Sequence, residues 1–412
     1  MIKAKFHKLE IIYICLLATL IILSYFILIP TDSTNAGLSS EELALGDRLF
    51  YISEDGKGFG YNIDKENYKG NFLYPYILKA ITSVSNIFGQ DQYSVTWNSF
   101  AIFLTSIISL FSLRLLRLSS LFLFNERVSL VASLIFVINP YTYYYSITGG
   151  ITNYLILGVT FVFYLFSSYC PKIRKIEYSD NLKYLFFICT GCVYLSCLRP
   201  TGSFFSFSIL FIFLYKYLKE ISKNENQRKN FISILILLIS FFLVGLNFNQ
   251  TLSYSFLNIH LFQIEDGNFF GFPRNAIREN IELMQFGILN NLKADFYFFL
   301  WKISDFVSGL SDIRDTHSAF LITPFAPFLF RVITGLFFLY PLNLLCALGI
   351  VSNRNLILKS DLWIVLFATF IALSPSIVGI SNSRYLMMFY SPFLIFGAKF
   401  LCDIFPIIRK TL

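Results

Sequence analysis

An all-α integral membrane bundle is the fold class this sequence predicts, and three observations predict it. Of the 412 residues, 56% are hydrophobic and only 14% are charged, a balance foreign to water-soluble domains. Apolar runs of about 20 residues, enough to cross a hydrocarbon core of about 30 Å as helix, recur along the chain, and no alternating strand pattern accompanies them. Finally, the basic residues gather in alternate connections, so the formal net charge of +8 records topology rather than nucleic-acid binding.

Taken in order, Lys3, Lys5 and Lys8 precede an apolar run from Ile11 to Ile29. Its length, and the want of a small-residue cleavage site, predict a retained anchor. Further spans are expected near 93–113, 128–146, 150–170, 182–198, 202–218, 231–248, 329–350, 361–380 and 385–404, about ten in all. Arg114, Arg117 and Arg127, then Lys172, Arg174, Lys175 and Lys183, fall on one side of the membrane. So do Lys216, Lys219, Lys223, Arg228 and Lys229, then Arg354 and Lys359, and finally Arg409 and Lys410. The positive-inside bias makes that side cytoplasmic, predicting a multi-pass protein of the cell (inner) membrane with both termini in the cytoplasm.

A single polytopic domain over 1–412 then carries two long extracytoplasmic loops, 31–92 and 249–328. Loops of that length in a compact bundle are usually functional. Within the first, Phe72–Phe88 is apolar but broken by Pro75 and Lys79, which suits an interfacial helix better than a span. Phe296–Val307 has the same character. Cys15, Cys170, Cys189, Cys192, Cys197, Cys346 and Cys402 all fall in or at the ends of spans, which argues against a disulfide framework or zinc site. Cys189 and Cys192 read as small apolar packing groups on one helix face.

The first loop offers Asp32, Glu41, Glu42, Asp47, Glu54, Asp55, Asp64 and Glu66. A carboxylate that activates an acceptor must be fixed beside the leaving group. Asp47, framed by Leu43, Leu45, Leu49, Phe50 and Tyr51, meets that condition best and is the candidate catalytic base; the spacing alone also fits eight solvated charges. Arg199, in LSCLRPTGSFFS, and Arg384, in ISNSRYLMMFYSPF, stand at outer span ends. Each suits a bidentate pair with a phosphate or a side chain snorkelling to headgroups. Arg331, in FLFRVITG, is a third cation for a donor phosphate, with the same alternative.

Asp305, Asp312, Asp315 and His317 could hold a divalent cation, but their spacing matches no metal-site pattern. A solvated loop is the reading, and no cofactor is expected. Tyr141, Tyr143, Tyr144 and Tyr145, after Asn139-Pro140, match an interfacial aromatic belt. Asn249-Gln250-Thr251 fits a glycosylation acceptor, and no phosphate-cradling glycine motif occurs.

GDRLFY after the first span, FLYPY before the second, LRPTG between two middle spans and SRY opening the last together resemble the GT-C superfamily of polytopic glycosyltransferases. That superfamily includes protein mannosyltransferases and aminoarabinose transferases, and the resemblance covers most of the chain in layout. It implies a sugar passed, with inversion, from a polyprenyl-phosphate-linked donor to a glycan, lipid or protein acceptor outside the membrane. Carried over by position, it implies Asp47 as base and Arg199 and Arg384 at the donor phosphate. One departure is plain: the outer end of the third span, SITGGITN, has no acid where such enzymes often bear one. Two rivals stand beside this reading. One is a lipid-linked glycan polymerase or ligase using Arg274, Arg278 and Arg314. The other is a transporter or flippase of lipid-linked sugars, which requires polar residues at the bilayer midplane.

Overall fold

The computed structural model describes residues 8–27, 73–89, 95–139, 142, 146, 152–169, 182–198, 200–221, 227–251, 335–378 and 389–405. Among them every regular element is helical and there is no strand. The helices are α1 (Lys8–Ile27), α2 (Leu73–Ile87), α3 (Val95–Leu123), α4 (Glu126–Ile138), α5 (Thr152–Tyr169) and α6 (Leu182–Leu198). There follow α7 (Pro200–Ile221), α8 (Gln227–Thr251), α9 (Tyr340–Ser352), α10 (Arg354–Lys359), α11 (Leu362–Val378) and α12 (Tyr390–Ile404).

Most of these match the apolar runs, and the departures have local causes. Within the expected span over 128–146, α4 ends at Ile138, and Thr142 and Ser146 beyond it are helical again. Pro140 disfavours helical geometry at the residue before it, and Asn139 is extended at φ −71°, ψ 113°. The opposite end of α4 is set by Asn125, whose side chain accepts from the Val128 N–H at 3.0 Å, a normal N-cap. Pro341 leaves its mark before α9. It has no N–H to give and its ring crowds the carbonyl four residues back, and Gly335–Leu339 is wound as a π-helical turn. Ser99–Leu123 is long and apolar enough to cross a membrane by itself; the other apolar helices among the described residues are shorter. Phe296–Val307 and the tyrosines at 141 and 143–145 lie outside the described residues.

The bundle is organised around α5, which packs on α3, α6, α11 and α12. In turn α7 joins α6, α8 and α11, while α12 joins α4 and α9. Facing residues fix the directions. A Cβ on Gly158 would meet Leu195 and one on Gly191 would meet Val162, so α5 and α6 run antiparallel with a glycine from each at the contact. Ser206 Oγ donates to the Cys192 carbonyl at 2.7 Å and Ser203 Oγ to that of Ser196 at 3.1 Å, which sets α7 antiparallel to α6. The tightest approaches are backbone to backbone. A Cβ on Gly202 would lie 2.1 Å from the Leu195 carbonyl oxygen, and one on Gly349 would lie 2.2 Å from that of Phe396.

Large apolar side chains face outward on several helices, among them Phe103, Phe111, Phe211, Phe242 and Phe370, with Phe103, Phe242 and Phe370 more than 60% exposed. The interior is apolar as well and holds hydroxyls among its apolar groups, including Thr105, Ser109, Ser112, Ser133, Ser146 and Thr160. Many of these donate to the carbonyl one turn back, as Thr105, Ser112 and Thr160 do. That pattern satisfies the hydroxyl without a partner helix. An exterior so apolar needs an apolar surrounding or a partner to cover it.

Two interactions tie the periphery down. Glu10, 0% exposed, accepts from Arg117 Nε at 3.1 Å, which joins α1 to α3 and explains how α3 carries arginines past the expected end at 113. Lys216 pairs with Asp361 and lies 5.3 Å above the Trp363 ring, joining α7 to α11. Breaking a buried pair strands its other charge, so Glu10→Ala should cost about 3 kcal/mol, and Glu10→Leu with Arg117→Met should recover most of it. Gly349→Val should likewise cost about 3 kcal/mol by overpacking. Gly245→Ala, whose Cβ meets open space, should not lower the melting temperature in detergent.

Candidate active site at the uncharged pole

Chain direction gives the bundle two unlike poles. Lys8, Arg117, Arg127, Lys183, Lys216, Arg354 and Lys399 all fall near helix ends at one of them. Ring contacts knit that pole together: Phe124 with Phe396, Phe166 with Tyr184, and Lys399 over Phe124. Among the described residues, Lys79 in α2 is the one charged group outside it, and no carboxylate reaches the opposite pole.

At that opposite pole α6 ends and α7 begins with a single residue between Leu198 and Pro200. The close packing of Gly202 on Leu195 fixes this corner. The first turns of α7 meet the start of α12 through the Phe205 and Phe389 rings, 5.6 Å apart. α5 starts here too. Tyr154 stacks edge-on against Tyr74 of α2 at 5.8 Å, and its carbonyl accepts from the Tyr194 hydroxyl at 3.3 Å. Thr160 and Ser391 join α5 to α12 hydroxyl to hydroxyl.

Asp47, Arg199, Arg331 and Arg384 lie outside the described residues. What the structure does describe are their flanks. Arg199 is the residue between α6 and α7, Arg384 is five residues before Phe389, and Arg331 is four before the π-helical turn. α7 begins one residue after Arg199 and α12 six residues after Arg384, and Phe205 in the second turn of α7 meets Phe389 at the start of α12, whereas Asp47 is remote in sequence from any described element. Asp305, Asp312, Asp315 and His317, with Arg274, Arg278 and Arg314, also lie outside the described residues. No metal-binding cluster occurs among the residues described.

Two polar features escaped the sequence reading. Thr201, the second residue of α7, is 7% exposed and its hydroxyl has no hydrogen-bond partner among the described residues. Helical side chains lean toward the N-terminus, so this hydroxyl belongs to the corner that holds Arg199. The LRPTG motif displayed the residue but not its isolation. The second feature is a knot of hydroxyls and an amide. Ser109, at the middle of α3, bonds the Tyr13 hydroxyl, Thr105 Oγ1 donates to the Ser146 carbonyl at 2.7 Å, and Asn153 Nδ2 donates to the Thr105 carbonyl at 3.3 Å. Asn153 closes the segment SITGGITN, where an acid was missing, and its amide ties α5 to α3.

No family model and no curated protein sequence matches this chain. Solved structures from Archaeoglobus fulgidus do align with it. One is the archaeal oligosaccharyltransferase AglB in complex with an inhibitory peptide and a dolichol-phosphate, with TM-score 0.45, 14% identity, and 91% of this chain set against 46% of that one. Another is the oligosaccharyltransferase tethered by a disulfide to an acceptor peptide containing the NVT sequon, with TM-score 0.43, 14% identity and coverages of 82% and 41%. Its apo form aligns with TM-score 0.44, 14% identity and coverages of 96% and 50%. The chain spans half or less of the length of these proteins.

Burying a hydroxyl without a partner costs about 1–3 kcal/mol. Thr201→Val should therefore fold as stably as the parent or more so, measured as melting temperature in detergent. Any functional deficit of that variant then reports a lost contact with a ligand.

Proposed function

We propose that the chain is an integral membrane glycosyltransferase of the GT-C type, moving a sugar from a polyprenyl-phosphate-linked donor to an acceptor on the extracytoplasmic side. One observation carries the reading. The first turns of α7, which begins one residue after Arg199, pack on the start of α12, which begins six residues after Arg384, through the Phe205 and Phe389 rings. Helix N-termini favour anions, and arginines beside them add to that preference. An anionic lipid headgroup supplies that anion.

In this mechanism Asp47 takes the proton from an acceptor hydroxyl or amine as the acceptor attacks the anomeric carbon. The bond from that carbon to the phosphate oxygen breaks on the opposite face, so configuration inverts. Polyprenyl phosphate leaves with its charge already formed, held by Arg199 and Arg384, with Arg331 as a third cation. Stabilising that departing charge is the larger task, and fixed cations do it without reorganisation.

A transporter of lipid-linked sugars would need open polar groups at mid-depth. The knot around Tyr13, Ser109 and Ser146 lies beside the middle of α3, and its groups bond one another. The transferase reading is therefore preferred.

The test measures loss of the polyprenyl-phosphate-linked sugar in membranes, at matched protein levels. Asp47→Asn should lower the rate about 10²–10⁴-fold, and Arg199→Ala and Arg384→Ala about 10²-fold or more each. Full activity in Asp47→Asn would remove the assigned base. Donor moved across the membrane intact would instead identify a flippase.

A further inference from the structure

Among the described elements, helix α9 packs on α12 and little else. Its outer face shows Tyr340, Leu344, Leu348 and Val351 in a continuous stripe at helical spacing, each more than 40% exposed. The stripe runs about 17 Å at 1.5 Å per residue, close to the roughly 15 Å of one leaflet. At its charged-pole end the chain turns into α10, whose exposed face sets Leu358, 71% exposed, among Arg354 and Lys359. Lys216 at the same pole is taken by Asp361, and Lys399 by Asp403. Arg354 and Lys359 have no ion-pair partner among the described residues. Trp363, two residues into α11, holds the Lys216 ammonium against its ring, as residues at the headgroup level of a bilayer do.

We propose that this face binds one anionic phospholipid, its phosphate between Arg354 and Lys359 and an acyl chain along the α9 stripe. Charge complementarity selects this occupant. An arginine grips a phosphate through two parallel hydrogen bonds, and a basic juxtamembrane group gains from an anionic lipid what it cannot gain from a zwitterionic one. A second copy of the chain is a poor occupant, because a two-fold axis along α9 would press Arg354 and Lys359 toward their own counterparts. The site rests on membrane embedding and not on the transferase chemistry.

Native mass spectrometry of the purified full chain in detergent, titrated with phosphatidylglycerol or phosphatidylcholine, tests it. The parent should bind phosphatidylglycerol about tenfold more tightly than phosphatidylcholine. Arg354→Gln with Lys359→Gln should weaken phosphatidylglycerol about tenfold relative to phosphatidylcholine, removing the preference, while Arg354→Lys should keep most of it. Equal binding of the two lipids, or an unchanged preference in the double variant, overturns the site. So does efficient disulfide crosslinking of two Val351→Cys chains in native membranes, which would make the face a dimer seam. Alkaline carbonate extraction separates the premises: release of the protein would defeat membrane embedding itself, whereas loss of the lipid site alone leaves it in the membrane pellet.

Discussion

The close approach of helix backbones at glycine sites is the constraint on which the rest of the structure depends. When the outer faces of a bundle are as apolar as its inner ones, burying them against each other gains little, and association has to come from packing and interhelical hydrogen bonds. Gly158 and Gly191 let α5 and α6 close on each other's side chains, Gly202 brings α7 onto the Leu195 carbonyl, and Gly349 brings α9 onto that of Phe396. A methyl group at either of the last two would overlap a carbonyl oxygen, which cannot rotate away as a side-chain end can. Once the backbones are this near, short hydroxyls reach across, as Ser206 does to Cys192 and Thr160 to Ser391. Glycine contact and serine cross-link are thus two parts of one packing solution.

That solution also sorts the charges. A bundle held through small residues has no room inside for lysine or arginine, apart from the paired exception of Glu10 with Arg117. Apart from Lys79 in α2, the remaining charges among the described residues sit toward helix ends, and the antiparallel course of α5, α6 and α7 decides which end. Lys183 at the start of α6 and Lys216 near the end of α7 fall at one pole, and the corner between Leu198 and Pro200 falls at the other. Ion pairs among helix ends then lock the charged pole, while aromatic contacts such as Tyr74 with Tyr154 and Phe205 with Phe389 lock the other.

The extent to which these features were legible in the sequence follows from how local their causes are. The limits of α6 could be read because apolar run, lysine and proline are all adjacent in sequence. The early end of α4 was available in Asn139-Pro140, since proline acts on its immediate neighbours, yet the apolar tract beyond it argued for a longer helix. The length of α3 was hidden because the group that accommodates Arg117 lies 107 residues away. Thr201 illustrates the opposite case. Its identity was visible in LRPTG, but lacking a partner is a property of every atom around a residue, and no local pattern encodes it. The knot that joins Tyr13, Thr105, Ser146 and Asn153 was invisible for the same reason, being assembled from three segments distant in sequence.

On the proposed reading, the corner that α7 and α12 share is where the departing phosphate is held. The N-terminal dipoles of the two helices add to the attraction of Arg199 and Arg384 for the incoming anion. The base is required on a different element, since a carboxylate close enough to pair with the arginines would have its proton affinity lowered by them. On this reading Asp47 comes from a different segment of the chain from both arginines, so the base and the phosphate clamp are set by different parts of the sequence.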